Sequence, residues 1–272
     1  MKISKKVAVY IVLIIATVFF LFPIYMLVIT SMKSLQEVNT TSSWSFPTHF
    51  DFSGFVTAWN GISQGFFNSF EFTIPAVIFS ILLGSIGGFA LTKLKFKGSN
   101  AIFMFLLFGM FLSYQVVLIP LVKFMASIGL YGNIWSLIIT NTAYGIPITT
   151  LIFRNFYSSI PTSLIEASQV DGANTLQIYS RIIIPLSVPG IVVASIWQFT
   201  NIWNNFLFGL ILGSMPNIRP VTVMLNNLNG AMMAQWNTLM AGALITAIPT
   251  LIVYLIAGKY FVKGLLGGAV KG

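Results

Sequence analysis

The chain has 272 residues, of which 57% are hydrophobic and only 7% charged, with a mean hydropathy of +0.90. A water-soluble domain carries about a quarter of its residues as charges, so fourteen lysines and arginines with five acids cannot cover an ordinary aqueous surface. The composition therefore excludes a soluble enzyme, the absence of cysteine excludes disulfides and thiolate metal sites, and the net charge of +9 lies in short clusters between apolar runs rather than in a basic patch for nucleic acid.

A helix crossing about 30 Å of hydrocarbon needs about 20 mostly apolar residues. Taken in chain order, six stretches satisfy this: about 7–30, 72–91, 101–119, 134–153, 188–212 and 238–258. The first is too long an apolar run for a signal peptide and is followed by no small-residue cleavage site, so it reads as a retained helix. The expected fold is an all-α membrane protein forming a single transmembrane domain over residues 1–272.

With six spans both termini share one side. That side carries Lys2, Lys5, Lys6, Lys93, Lys95, Lys97, Arg154, Arg181, Lys259, Lys263 and Lys271, against Lys33, Lys123 and Arg219 on the other. Basic loop residues stay in the cytoplasm, so the asymmetry predicts cytoplasmic termini in a cell membrane. None of the five acids needs to lie at the bilayer midplane, so the carboxylate expected of a proton-coupled carrier is missing.

Between the second and third spans lies the short 92–100 loop, and between the fourth and fifth a much longer one, about 158–187. In the latter, Ser163 with Glu166 and Asn174 with Gln177 both have capping-box spacing, and Asp171-Gly172 between them is a turn dipeptide. The pattern predicts a helix, a tight turn and a second helix that ends at Pro185. In the fifth span, Gln198, Asn201 and Asn205 fall on one face at helical spacing, accompanied by Trp197 and Trp203. Amides are costly in hydrocarbon unless they pair or meet water, so this face lines either an interior passage or a hydrogen-bonded helix contact. Tyr114, Gln115, Asn141 and Tyr144 offer the same chemistry. Gly84 and Gly88, like Gly209 and Gly213, have the small-xxx-small spacing of close helix contacts.

The sequence holds no ATP-binding loop: the only Gly-Lys pair, Gly258-Lys259, is followed by Tyr260 and has Val253 where the first glycine belongs. With His49 as its only histidine, it also lacks an HExxH or Ser-His-Asp arrangement, and no catalytic residue is assigned.

Glu166-Ala167-Ser168, Asp171-Gly172-Ala173 and Ile184-Pro185-Leu186 with Pro189 resemble the EAA loop of ABC importer permeases, with Ser168 in place of the second alanine. Further pieces extend the resemblance along the chain: Val117 to Leu121 with Gly129-Leu130, Phe153 to Phe156, Trp203 to Phe206, and the terminal Tyr260 to Gly264 and Gly268 to Gly272. These are similar to the carbohydrate-importing, MalG-like subfamily with the MetI-like permease fold. The resemblance implies a non-enzymatic subunit forming half of a sugar translocation pathway, for a mono- or oligosaccharide such as glucose or maltose. Glu166, Ala167, Ser168, Asp171, Gly172, Ala173 and Pro185 would then form the coupling helix that docks on a separate ATPase. The substrate-pathway candidates would be Gln198, Asn201, Asn205, Trp197, Tyr114 and Asn141. The implied partners are a second, non-identical permease subunit, two ATPase subunits and an extracytoplasmic sugar-binding protein, within membrane lipid. No cofactor or metal is expected on this chain, since ATP and Mg would bind the ATPase subunits. A permease for another solute, a secondary carrier, a membrane-embedded enzyme and a membrane-embedded subunit of a different complex are the competing readings.

Overall fold

The computed structural model describes the backbone of residues 2–94, 96–231 and 235–269 and, within these, the side chains of all but 2–5, 229–231 and 259–269. The terminal motif pieces from Tyr260 onward, Asn229-Gly230 and the charges at Lys2, Lys5, Lys95, Lys259, Lys263 and Lys271 therefore lie outside the described side chains. In chain order the helices are α1 Lys2–Ser31, α2 Leu35–Thr40, α3 Ser53–Lys93, α4 Ser99–Gly109, α5 Tyr114–Ser127, α6 Ile134–Ser158, α7 Thr162–Val170, α8 Thr175–Ile178, α9 Ile184–Leu186, α10 Val188–Trp203, α11 Phe206–Leu212, α12 Val221–Ala231 and α13 Trp236–Ala269. No strand occurs among the described residues.

Four helices, in α1, α3, α6 and α13, are long and apolar enough to cross a membrane. Two bent pairs bring the number to six if each counts as one span. The third expected span, 101–119, is one of them: α4 and α5 meet at 97° across residues 110–113. Hydropathy did not reveal this break because its residues, Met110, Phe111 and Leu112, are as apolar as their neighbours. The fifth span, 188–212, is likewise interrupted. Helix α10 leaves the preceding segment at 75° and ends at Trp203, and a new helix begins only after Asn205.

The second span proved longer than expected. Helix α3 starts at Ser53 rather than near residue 72 and runs 41 residues, about 60 Å at 1.5 Å per residue. Its first half is too polar to register as a span, yet Gly54, Ala58, Ile62 and Gly65 are spaced for one helical face, and Gly54, Ala58 and Ile62 are closely packed.

The chain divides into two compact units. The first comprises residues 1–66 and 223–248. Here the early turns of α3 pack against α12 and the start of α13 through small residues: a Cβ on Gly61 would come within 2.6 Å of Leu228 Cδ2, and one on Gly242 within 2.8 Å of Leu225 Cδ1. The loop after α1 folds around Lys33, which is 1% exposed and donates from Nζ to Thr41 Oγ1 (3.2 Å), Ser42 O (2.9 Å) and Ser45 Oγ (2.9 Å). Those three acceptors match the three donors of an ammonium and make its burial tolerable.

The second unit, residues 67–222 and 249–272, holds both hydrophobic cores. The later part of α3 lies directly against α6 at Gly84 and Gly88, where a Cβ would overlap Thr149 and approach Phe153 Cβ within 2.7 Å respectively. This contact is the one expected of the first small-xxx-small pair. Gly213 has another use. It caps α11, donating to Gly209 O (3.0 Å), and a Cβ there would lie 2.8 Å from Pro220 Cδ, so the second glycine pair closes a turn instead of a helix contact. Across the α3–α6 contact Thr149 Oγ1 donates to Ser80 O (2.9 Å).

Candidate functional site

Two features of the second unit could do transport work, the 158–187 loop and a cleft among broken helices. In the loop, α7 begins at Thr162 after Pro161, with no side-chain cap. The Ser163–Glu166 capping box expected from spacing is absent because Ser163 already lies inside the helix; proline, which suits a helix start, sets the boundary instead. The turn formed as predicted. Gly172 has φ +83°, Gly172 N donates to Gln169 O (3.1 Å) and Ala173 N to Ser168 O (2.9 Å), the paired bonds of a Schellman helix end. Asn174 then caps α8 reciprocally: Gln177 N donates to Asn174 Oδ1 and Asn174 N donates to Gln177 Oε1, both at 2.9 Å.

The second helix does not stop at Pro185. A π-helical turn, Tyr179–Ile183, widens the register so that Ile184 N donates to Tyr179 O, and Pro185 follows inside α9 before the chain bends at Ser187. A proline cannot donate to the carbonyl four residues back, and the widened turn immediately before it accommodates that missing bond.

The loop has an anchored underside and an open top. Ile165, Ile178 and Ile183 are buried in one cluster with Phe89, Phe153, Tyr157 and Ala194, each large apolar side chain contributing about 1.5–3 kcal/mol by burial. Ser85 Oγ bonds to both Tyr157 OH (2.6 Å) and Tyr179 OH (2.7 Å), tying α3, α6 and the π turn at one point. Lys93 Nζ donates to Ile160 O (2.7 Å), so the end of α3 also holds the loop's first residues. On top, Val170 is 88% and Leu176 72% exposed, on either side of the Gly172 turn, with Glu166, Ala167 and Asp171 exposed beside them and Ser168 and Ala173 half-buried. Pro185 is exposed at the far end. A rigid turn presenting two bare aliphatic side chains and two carboxylates is suited to protein docking.

The cleft has a volume of about 410 Å³, within the range of small-molecule sites. Its lining brings together all six residues picked from the sequence: Tyr114, Asn141, Trp197, Gln198, Asn201 and Asn205. They reach it differently from what helical spacing implied. Asn205 lies beyond the end of α10 and caps α11 through Phe208 N (3.1 Å), so the break between helices, and not the period, places it beside Asn201. Gln198 is 3% exposed and its Nε2 lies 3.3 Å from Ser80 Oγ and 3.4 Å from Asn141 O, joining α10 to α3 and α6. Gly145 leaves the space for that amide, which any Cβ there would overlap. Asn141 Nδ2 donates to Leu137 O within its own helix (2.8 Å). Asn201 and Trp197 are exposed to the cleft, and Asn201 Nδ2 donates to Trp197 O (2.9 Å), leaving its carbamoyl oxygen available. Tyr114, Tyr144 and Phe208 form a three-ring cluster with centroids 5.0–5.1 Å apart.

Sequence reasoning missed Gly109, Met110 and Leu112, which line the cleft from the break between α4 and α5. Gly109 followed by Ser113 was the available signal. No lining residue is charged, and among the described residues no cluster suits a metal ion.

This architecture of bent membrane helices, with one anchored helix-turn-helix loop, is that of an ABC importer permease. Residues 76–266 match the family described as "Binding-protein-dependent transport system inner membrane component", and the chain belongs to that family. It is 46% identical over 264 residues to a probable ABC transporter permease protein of Pyrococcus horikoshii, covering 97% of this chain and 96% of the relative. It is 36% identical to the xylose/arabinose import permease protein of Haloferax volcanii, covering 96% and 92%. Among solved structures, a chain from a bacterial ABC transporter involved in import of the acidic polysaccharide alginate superposes with a TM-score of 0.83 at 24% identity, over 95% of this chain and 96% of that one, which is a likeness of fold. The protein is a transport subunit and not an enzyme.

Proposed function

We propose that this permease carries an uncharged sugar, and that the 158–187 loop couples it to a separate ATPase. The observation that carries the sugar reading is the cleft: amides and aromatic rings converge there without a single charged side chain. Planar amides exchange hydrogen bonds with hydroxyls, and ring faces pack against the C–H surfaces of a sugar. The pentose-importing Haloferax relative supports the same substrate class. Specificity among sugars is shared with an external binding protein and a second, non-identical permease subunit.

The reaction cycle follows from the loop. ATP binding closes two ATPase subunits, which carry the nucleotide and Mg; the docked turn at Gly172 moves with them. Because Ile165, Ile178 and Ile183 are packed under that turn, its motion passes to α3 and α6. Outward opening is then favoured by the ATP-bound state and reversed by hydrolysis. The basic side, with Arg154 and Arg181, faces the cytoplasm, in keeping with the eleven-to-three distribution of lysine and arginine.

Uptake of labelled neutral pentoses and hexoses, and of a uronic acid, into proteoliposomes holding the whole complex tests this reading. Neutral sugar should accumulate only with ATP and binding protein, and the uronic acid should not; uptake without ATP, or preferential uptake of the acid, would refute it. Single cysteines at Ser99 and Asn227 should label from opposite sides of sealed vesicles, and labelling from one side would overturn the orientation.

A further inference from the structure

A second cavity, of about 480 Å³, lies in the same unit where the ends of α3 and α6 meet the start of α4, away from the sugar cleft. Its lining includes Thr92, Ser99, Asn100, Arg154, Asn155 and Ser158, with Leu91 and Leu94 beside them. The half-buried Arg154 guanidinium is held from two directions: it lies 3.8 Å from the centroid of the Phe103 ring, and its Nη2 donates to Asn100 Oδ1 at 3.1 Å. Both partners are neutral. None of the five acidic residues of the chain lines this cavity. A guanidinium has five donors in a planar fork, so a fixed arginine with a neutral amide as its hydrogen-bond partner retains donors for an oxyanion.

Two further observations point the same way. Ser99 and Asn155 bring further hydrogen-bonding side chains to the cavity wall. Helix α4, eleven residues long, opens here on Ser99 and Asn100, and its cap Gly98 contributes no side-chain acceptor to the first amides. A helix start favours negative charge, and Lys97 on the adjoining turn adds to the field. The polar groups sit at the ends of the long apolar helices α3 and α6, with Leu91 and Leu94 beside them.

We propose that this cavity binds a phosphoryl group, with Arg154 as its principal ligand and Ser99 and Asn100 as hydrogen-bonding partners. Such a group is supplied either by the headgroup of an anionic phospholipid or by free phosphate. The site is independent of the sugar reading, so either can fail alone.

The test uses the purified complex in detergent and follows thermal unfolding during titration with dihexanoyl phosphatidylglycerol, with inorganic phosphate, and with dihexanoylglycerol, which has the same tails and no phosphate. Phosphatidylglycerol should raise Tm, and dihexanoylglycerol should not. Arg154→Gln should raise the half-saturating concentration by about tenfold or more, as expected for loss of a charge-assisted contact, while Arg154→Lys raises it less. Equal stabilisation by phosphate, lost in Arg154→Gln, supports the site and assigns it to the free anion. Stabilisation by phosphatidylglycerol alone assigns it to the lipid. Asn100→Asp places a carboxylate beside Arg154 and should abolish binding, which keeps the proposal open to refutation even if Arg154→Gln does not assemble. The proposal is overturned if dihexanoylglycerol stabilises as well as phosphatidylglycerol, if both variants bind like the unmodified complex, or if Arg154→Gln loses its ATPase partner while retaining the lipid.

Discussion

The 158–187 loop and the cleft among the broken helices belong to one compact unit but use their polar groups in opposite ways. In the loop, polar groups are spent locally: Gly172, Asn174 and Gln177 satisfy backbone amides within a few residues, so the turn is rigid by itself and its exposed side chains need no support. In the cleft the groups come from α5, α6, α10 and the gap before α11, and Gln198 holds three helices together from the inside. A docking element can be built from adjacent residues because its shape is local. A passage needs walls from distant parts of the chain.

The sharpest way to break this comparison is at Gly172. Nothing lies within 4 Å of a Cβ built there, so Gly172→Val acts through backbone strain alone, about 1–2 kcal/mol or more for a β-branched residue at positive φ. Misdirection of α8 should abolish stimulation of ATP hydrolysis by the loaded binding protein. Gly172→Asn, which tolerates this conformation, should retain most of it. If valine leaves stimulation intact, the turn does not transmit motion.

Next in size is the difference between the loop's root and its top. Ile178→Ala removes a buried side chain and should lower the unfolding free energy by about 2–5 kcal/mol in a denaturant series. Val170→Ser with Leu176→Ser should leave that stability nearly unchanged and weaken co-purification of the ATPase. Equal loss of stability in both would erase the distinction. Glu166→Lys acts on the same surface by charge reversal, commonly costing a few kcal/mol at an interface, and should reduce ATPase association without altering membrane insertion. Normal association would remove Glu166 from the contact.

A smaller effect divides the cleft itself. Gln198→Ala removes a buried side chain and its hydrogen bonds to α3 and α6, and should destabilise the fold by about 1–3 kcal/mol. Asn201→Ala, exposed and bonded only within its helix, should instead raise the half-saturating sugar concentration for uptake several-fold at unchanged stability. The reverse outcome would make Gln198 the sugar contact and Asn201 a packing residue.

The residue order by itself determined the membrane solvent, the approximate spans, the Gly172 turn and the Asn174–Gln177 cap, since each depends on composition or on neighbours a few positions away. It also identified the polar side chains of the cleft by their cost in hydrocarbon. Tertiary structure decided the rest. The break at 110–113 occurs in residues as apolar as a continuous helix, the first half of α3 is held by contacts of Gly61 with Leu228, and Asn205 joins Asn201 across a helix end. In each case the deciding contact lies between residues that periodicity does not relate, because helix breaks and close approaches are stabilised by whatever packs against them. Chemistry was legible along the chain; which chemical groups share a cavity was settled only when the helices met.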